Sequence, residues 1–190
     1  MSRSLAILGL GVVVIAAAWL AVGSPRAGTP PRLEPAPGAV EANGLIVRVI
    51  DGDTVHVSVN GVNESVRLIG VDTPETVDER KPLQCYGPEA SARTKALLAP
   101  GTAVRLERDA EARDQYGRLL AYVYRASDGL FVNLALVRDG YGAVLLIAPN
   151  VTHAHVLRDA EATARQAGAG LWGSCGGPGR AAGSSTTQPN

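Results

Sequence analysis

The stretch from Leu45 to Gly70, LIVRVIDGDTVHVSVNGVNESVRLIG, decides the fold class. Leu45 to Ile50 is a β-rich run. After it, Val55, Val57 and Val59 alternate with Thr54, His56 and Ser58, the period of a half-buried strand. Asn60-Gly61 is a strong hairpin signal, because both residues tolerate the positive φ that a tight turn needs. Val66, Leu68 and Gly70 carry a third strand away from that turn, with Arg67 on its opposite face. Three strands joined this closely predict a curled meander.

Downstream, the period changes. Gly87 to Ala99 reads as a helix with Leu97 and Leu98 turned inward, ended by Pro100-Gly101. Thr102 to Glu107 and Leu119 to Tyr124 give two more strands. Phe131 to Asp139 reads as a helix, and Thr152 to Gln166 as a third, capped by Thr152 and closed near Gly168. The pattern is α+β, with five strands and about three helices. A chain of 190 residues with both ends discounted has room for one domain, and no internal repeat breaks it.

Both ends differ from this pattern. Arg3 precedes an uncharged, mostly apolar run from Ser4 to Gly23, so residues 1–23 are expected to be a signal peptide or a membrane anchor. Ala21-Val22-Gly23 offers small residues for cleavage, yet the run exceeds an ordinary signal core, and both outcomes stay open. Either one places the protein outside the cytoplasmic membrane, secreted or anchored through residues 4–23. Residues 24–43 hold Pro25, Pro30, Pro31, Pro35 and Pro37 and read as a linker. The domain is expected over 44–174, and the Gly-, Ser- and Thr-rich residues 175–190 as a disordered tail. In an oxidising space, Cys85 and Cys175 are expected to pair, the alternative being two buried free thiols.

Charge argues against one class of function. Residues 44–174 carry fourteen Lys plus Arg against sixteen Asp plus Glu, a net of −2. A protein that held nucleic acid by bulk phosphate neutralisation would be clearly basic. Nucleic-acid contact is therefore expected to rest on a few placed arginines.

Three motifs supply such a site: Asp51-Gly52-Asp53-Thr54, Arg67 through Asp72-Thr73-Pro74-Glu75-Thr76, and Asp114-Gln115-Tyr116-Gly117-Arg118. Carboxylates suit a hard cation such as calcium. An acid beside it can take a proton from water, and guanidinium forks match phosphate oxygens. Singly, each has a plainer explanation: an Asp beside Gly forms turns, and a loop Glu or strand Arg is commonly solvated.

With Tyr86-Gly87-Pro88-Glu89-Ala90 and Val132 to Arg138, the order and wording of these motifs resemble the staphylococcal nuclease (thermonuclease) family over roughly residues 44–174. The resemblance implies a five-stranded OB-fold barrel and a secreted, calcium-dependent nuclease acting on DNA, RNA or both. It implies that Asp53, Asp72 and the Thr73 carbonyl hold the ion, that Glu75 acts on the water, and that Arg67 and Arg118 clamp the phosphate. It gives Tyr116 a contact with the nucleotide's phosphate end. Asp51 is expected to order the Gly52 turn, and Asp114 to be structural.

Other polar residues carry less. His153 and His155 are two apart on a helix and face different ways. His56 reads as solvated and Trp172 as a core plug. The chain also departs from the family's pattern. Leu145-Leu146-Ile147-Ala148 stands where two tyrosines line the nucleotide pocket, and Gln115 where a lysine is common. The Val77–Gln84 loop is mixed in charge. Substrate preference, bond polarity and biological role are therefore left open. The competing reading is a catalytically silent OB-fold module that binds nucleic acid or protein at the cell surface. Such modules usually lose active-site acids, and this chain keeps them. Nothing in the sequence calls for a protein partner, and a monomer is expected.

Overall fold

A computed structural model describes residues 38–76 and 83–182. The expected signal peptide or anchor, most of the linker, the last residues of the tail and most of the Val77–Gln84 loop lie outside the described residues. No described helix is long and apolar enough to cross a membrane.

Strands β1 (Gly44–Asp51), β2 (Thr54–Val59) and β3 (Val62–Leu68) form the expected meander, each antiparallel to the one before. Asn60 at φ +50° and Gly61 at φ +81° make the hairpin turn. β5 (Ala103–Glu107) pairs with β1, and β6 (Leu119–Arg125) pairs with β5. A parallel pairing of β3 with β6, Val66 opposite Leu119 and Arg67 opposite Leu120, closes these five strands into a barrel. Alternate side chains point inward, so Val55, Val57, Val66, Leu68, Val104, Ala121 and Val123 are all buried.

The third strand stops sooner than its pattern suggests. β3 ends at Leu68, and Gly70, at φ +77°, turns the chain out of the barrel into β4 (Gly70–Asp72). A Cβ on Gly70 would lie 2.4 Å from Leu157 Cδ1, so sterics and backbone both require glycine. β4 pairs with β8 (Ala143–Leu145), a strand the sequence did not suggest, which sets Gly70 opposite Leu145. A buried amide pins the exit. Asn133 on α2 (Val132–Arg138) donates from Nδ2 to the Ile69 and Ala121 carbonyls and accepts the Val123 N–H on Oδ1. Its partners satisfy a side chain that would otherwise be costly to bury.

Helix α1 (Gly87–Leu97) ends two residues before the expected Ala99, with Leu97 and Leu98 buried as read from the sequence. The two-residue strand β7 (Leu130–Phe131) precedes α2. α3 (Ala154–Gln166) starts later than expected. Thr152 does not cap it: the N-cap position is His153, and the Thr152 N–H and hydroxyl donate instead to the Asp109 carboxylate. A short α4 (Leu171–Cys175) follows, making four helices among the described residues. Trp172 is half-buried rather than a core plug, with the Arg165 guanidinium 4.4 Å from its ring centroid.

Described residues on both sides of 44–174 are bonded to it. The Val40 N–H donates to the Ala126 carbonyl, and Asn43 bonds Leu106 through both ends of its amide. At the other end, residues 180–182 pair with 83–85. Cys85 and Cys175 are disulfide-bonded, their Cα atoms 6.0 Å apart.

Candidate active site

The first acid pair comes from the turn between β1 and β2. Asp51 ends β1, and its Oδ1 accepts from the Gly52 N–H and the Thr76 hydroxyl. Burial, and then the neighbouring Glu75, push its carboxyl above the ordinary carboxylate range despite those bonds. Gly52 is needed for close approach: a Cβ there would meet Thr73 Oγ1 at 2.5 Å. The buried Thr94 hydroxyl donates to the Gly52 carbonyl at 2.6 Å, so α1 holds the turn from below.

That contact aims Asp53. Its Oδ2 accepts from the Thr73 N–H at 2.9 Å and the Thr73 hydroxyl at 3.2 Å. The same oxygen lies 3.0 Å from Arg67 Nη1. Arg67 is opposite Thr54 in the β2–β3 register, which puts it beside Asp53. Its Nη1 also donates to the Val71 carbonyl at 2.7 Å, and its Nη2 to Asp72 Oδ1 at 3.0 Å. One guanidinium thus spans Asp53, which is buried, and Asp72, which is exposed.

Arg118 approaches from the neighbouring strand. It directly precedes β6, whose Leu119 is opposite Val66, so the two arginines flank the barrel's closing seam. Asp114 braces it. Asp114 Oδ2 accepts the Arg118 Nε–H at 2.7 Å, and Oδ1 accepts the backbone N–H groups of Tyr116 and Arg118. Burial alone would raise the Asp114 carboxyl, but the Arg118 bonds and charge hold it below its ordinary value. The exposed Tyr116 ring centroid lies 5.5 Å from the Arg118 guanidinium carbon.

Asp51, Asp53, Asp72, Thr73, Glu75, Arg67 and Arg118 line one cleft of about 300 Å³. All of the sequence-predicted site residues except Tyr116 and the cysteines therefore meet there. A second hollow of about 420 Å³ shares Arg67 and Arg118 and continues past Tyr116 to Leu145 and Ile147. His153 stays outside both. It is bonded to Glu107 at 3.1 Å and set edge-on to Tyr122, while the exposed His155 pairs with Asp159.

Residues 65–174 match the staphylococcal nuclease homologue family. The chain belongs to the staphylococcal nuclease family. Thermonuclease of Staphylococcus intermedius is 43% identical over 128 residues, covering 67% of this chain and 74% of the relative. Thermonuclease of Staphylococcus hyicus is 36% identical over 164 residues, covering 86% and 95%. Endonuclease YncB of Bacillus subtilis (strain 168) is 40% identical over 136 residues, covering 70% of this chain and 63% of that protein.

Within this nuclease-family domain, two neighbours of the site were not legible beforehand. Thr76 bonds Asp51 across twenty-five positions, and Gln84 bonds the Glu75 backbone across nine. Neither has a sequence signal of its own, because each acts through a contact made only on folding.

Proposed function

We propose that this protein is an exported, calcium-dependent nuclease that hydrolyses phosphodiester bonds of DNA, RNA or both, acting as a monomer. The observation that carries the reading is the Arg67 fork laid across Asp53 and Asp72, 3.0 Å from each, in a cleft shared with Glu75 and Arg118. Two carboxylates that converge on one cationic group are arranged to hold positive charge, and every acidic donor in the cleft is an oxygen. That donor set suits calcium or magnesium rather than zinc. Among the described residues no three His, Cys, Asp or Glu side chains form a preformed metal cluster. The fit is therefore to a cation held by Asp53, Asp72, the Thr73 carbonyl and water. When bound, the cation would polarise a phosphoryl oxygen.

The protein's own groups do the rest. Glu75 takes a proton from water as its oxygen attacks phosphorus. Arg67 turns its fork toward phosphate oxygens, and Arg118, kept in place by Asp114, neutralises charge on the transferring group and the leaving oxygen. Tyr116 packs at the phosphate end of the nucleotide. Arg3 and the apolar run to Gly23 support export, with cleavage or retention as an anchor both consistent with it. A silent binding module is the weaker reading, because Arg67 and Arg118 are present together with Asp53, Asp72 and Glu75.

The test is hydrolysis of denatured DNA and of RNA by the purified full chain with calcium, with magnesium and with a chelator. Cleavage that requires calcium supports the reading. Binding with no cleavage under any of these conditions would favour the silent module.

A further inference from the structure

One residue holds the backbone of Glu75 on both sides. Gln84 Oε1 accepts the Glu75 N–H at 3.1 Å, and the Gln84 N–H donates to the Glu75 carbonyl at 3.2 Å. The peptides before and after the Glu75 Cα are thereby both tied to Gln84. Helix α1 presses on the same segment: a Cβ on Gly87 would lie 2.7 Å from Thr76 Cγ2 and 3.1 Å from the Glu75 carbonyl oxygen.

Gln84 is itself placed by the far end of the chain. It forms a β-bridge with Ala181. The Cys85 N–H donates to the Arg180 carbonyl and the Ala182 N–H to the Leu83 carbonyl, each at 2.8 Å. Beside this pair, the disulfide joins Cys85 to Cys175 across 90 residues. Cys175 is fully buried at the end of α4, which is tied to the body of the domain where the Leu171 N–H donates to the Gly140 carbonyl. Between Cys85 and Gly87, Tyr86 sits at φ +71°, a conformation a bulky residue holds only when its surroundings impose it.

We propose that Gln84 is a positioning residue for Glu75, and that the Cys85–Cys175 bridge with the 180–182 pairing holds Gln84 in place, so that turnover depends on the oxidised bridge. The inference rests on the reading of Glu75 as the group that takes the proton from water. Tying both adjoining peptides sets the root of the Glu75 side chain, and its Oε1 accepts the Thr76 N–H of that same segment at 3.1 Å. A misplacement of about 1 Å can cost on the order of a hundredfold in rate. Reduction by a dithiol such as dithiothreitol supplies two electrons and two protons. The S–S bond breaks, Cys85 and Cys175 become thiols, and the reagent closes to its cyclic disulfide. The strand pair at 83–85 then loses its covalent neighbour and is left with its few hydrogen bonds.

The test measures kcat and KM on denatured DNA, with the melting temperature in parallel, for the oxidised and reduced full chain and for Gln84→Ala, Gln84→Glu and Glu75→Gln. Gln84→Ala is expected to lower kcat about tenfold to a hundredfold, with KM within about twofold. Gln84→Glu keeps an acceptor oxygen for the Glu75 N–H and recovers most of the rate. Reduction lowers kcat in the wild type and lowers it less in Gln84→Ala, which keeps only the backbone bond from residue 84 to the Glu75 carbonyl. Full kcat in Gln84→Ala overturns the proposal, as does a Gln84→Glu variant no better than Gln84→Ala. An equal effect of reduction on wild type and Gln84→Ala removes the link to the bridge. Unfolding of the reduced chain at the assay temperature overturns the link from the bridge to Gln84, because the bridge then holds the whole fold, and the two Gln84 variants decide the positioning role in the oxidised protein. Glu75→Gln separates the two levels: full rate there defeats the role of Glu75 itself, whereas loss there with full rate in Gln84→Ala defeats only the positioning role.

Discussion

Asp114→Asn removes the charge under Arg118 with almost no change of shape. The amide oxygen can still accept the Tyr116 and Arg118 backbone N–H groups, so the turn survives. What changes is the 2.7 Å contact to Arg118 Nε, where an NH₂ group now faces an N–H donor. A hydrogen bond to a charged group contributes about 1.5–3 kcal/mol. The Arg118 side chain is 32% exposed, so water recovers part of that, and a stability loss of about 1 kcal/mol is expected. The rate should suffer more than the fold. Loss of one aimed donor at a developing charge costs about 10²–10³ in kcat, and an arginine that is present but unbraced should lose about 10–100-fold. The assay is kcat at saturating denatured DNA, with urea unfolding alongside, in the wild type, Asp114→Asn, Arg118→Ala and the double variant. Asp114→Asn should add little to Arg118→Ala, since the brace acts only through the arginine. Unchanged kcat in Asp114→Asn, or full additivity in the double variant, would refute this reasoning.

Gly52→Ala should be costly in another way: its Cβ would meet Thr73 Oγ1 at 2.5 Å, with overpacking of about 1–3 kcal/mol. Calorimetric calcium affinity should fall as well, because Asp53 and Thr73 are pushed apart. Restoring aromatics to the hollow beside the cleft, by Leu145→Tyr with Ile147→Tyr, should lower KM for single-stranded DNA about tenfold at constant kcat, given about 1–3 kcal/mol per stacked base. For acid stability, Asp109 is informative. Burial alone would raise its carboxyl, but bonds from Thr152, Tyr122 and Ala110 hold it below the ordinary value. A depressed folded value contributes stability that is present above the unfolded value, about pH 4, and is lost as pH falls through the folded one. Asp109→Asn should therefore lower stability at neutral pH and flatten the acid limb of a chemical-denaturation profile below about pH 4.

The meander and two of the helices were readable because their signals are local: the alternation of Val55, Val57 and Val59, the Asn60-Gly61 turn, and the apolar period from Phe131 to Asp139. Barrel closure was not readable locally, because the β3–β6 pairing joins Val66 to Leu119 with no shared pattern. The break after Leu68 was hidden as well. Gly70 continues the alternation in sequence, and neither its left-handed φ nor Leu157, which fills the space a Cβ there would need, is visible locally. Thr152 shows how a correct residue type can mislead, since the helix begins one residue later, with His153 at the N-cap, and the Thr152 hydroxyl donates to Asp109. At the cleft, the motifs named the acids and arginines that the fold gathers. Their supports were less visible: Gln84 and Thr76 carry no motif, and Asp114 reads as an ordinary turn former until its carboxylate is found on Arg118.

The central claim is that Glu75 takes the proton from the attacking water beside a cation held by Asp53 and Asp72. Its most direct test is the single-turnover cleavage rate of denatured DNA by Glu75→Gln with calcium at saturating enzyme, with DNA affinity measured in the same buffer. The account predicts a loss of about 10²–10⁴-fold in rate, with affinity changed by no more than a few-fold. Wild-type cleavage by Glu75→Gln would contradict it.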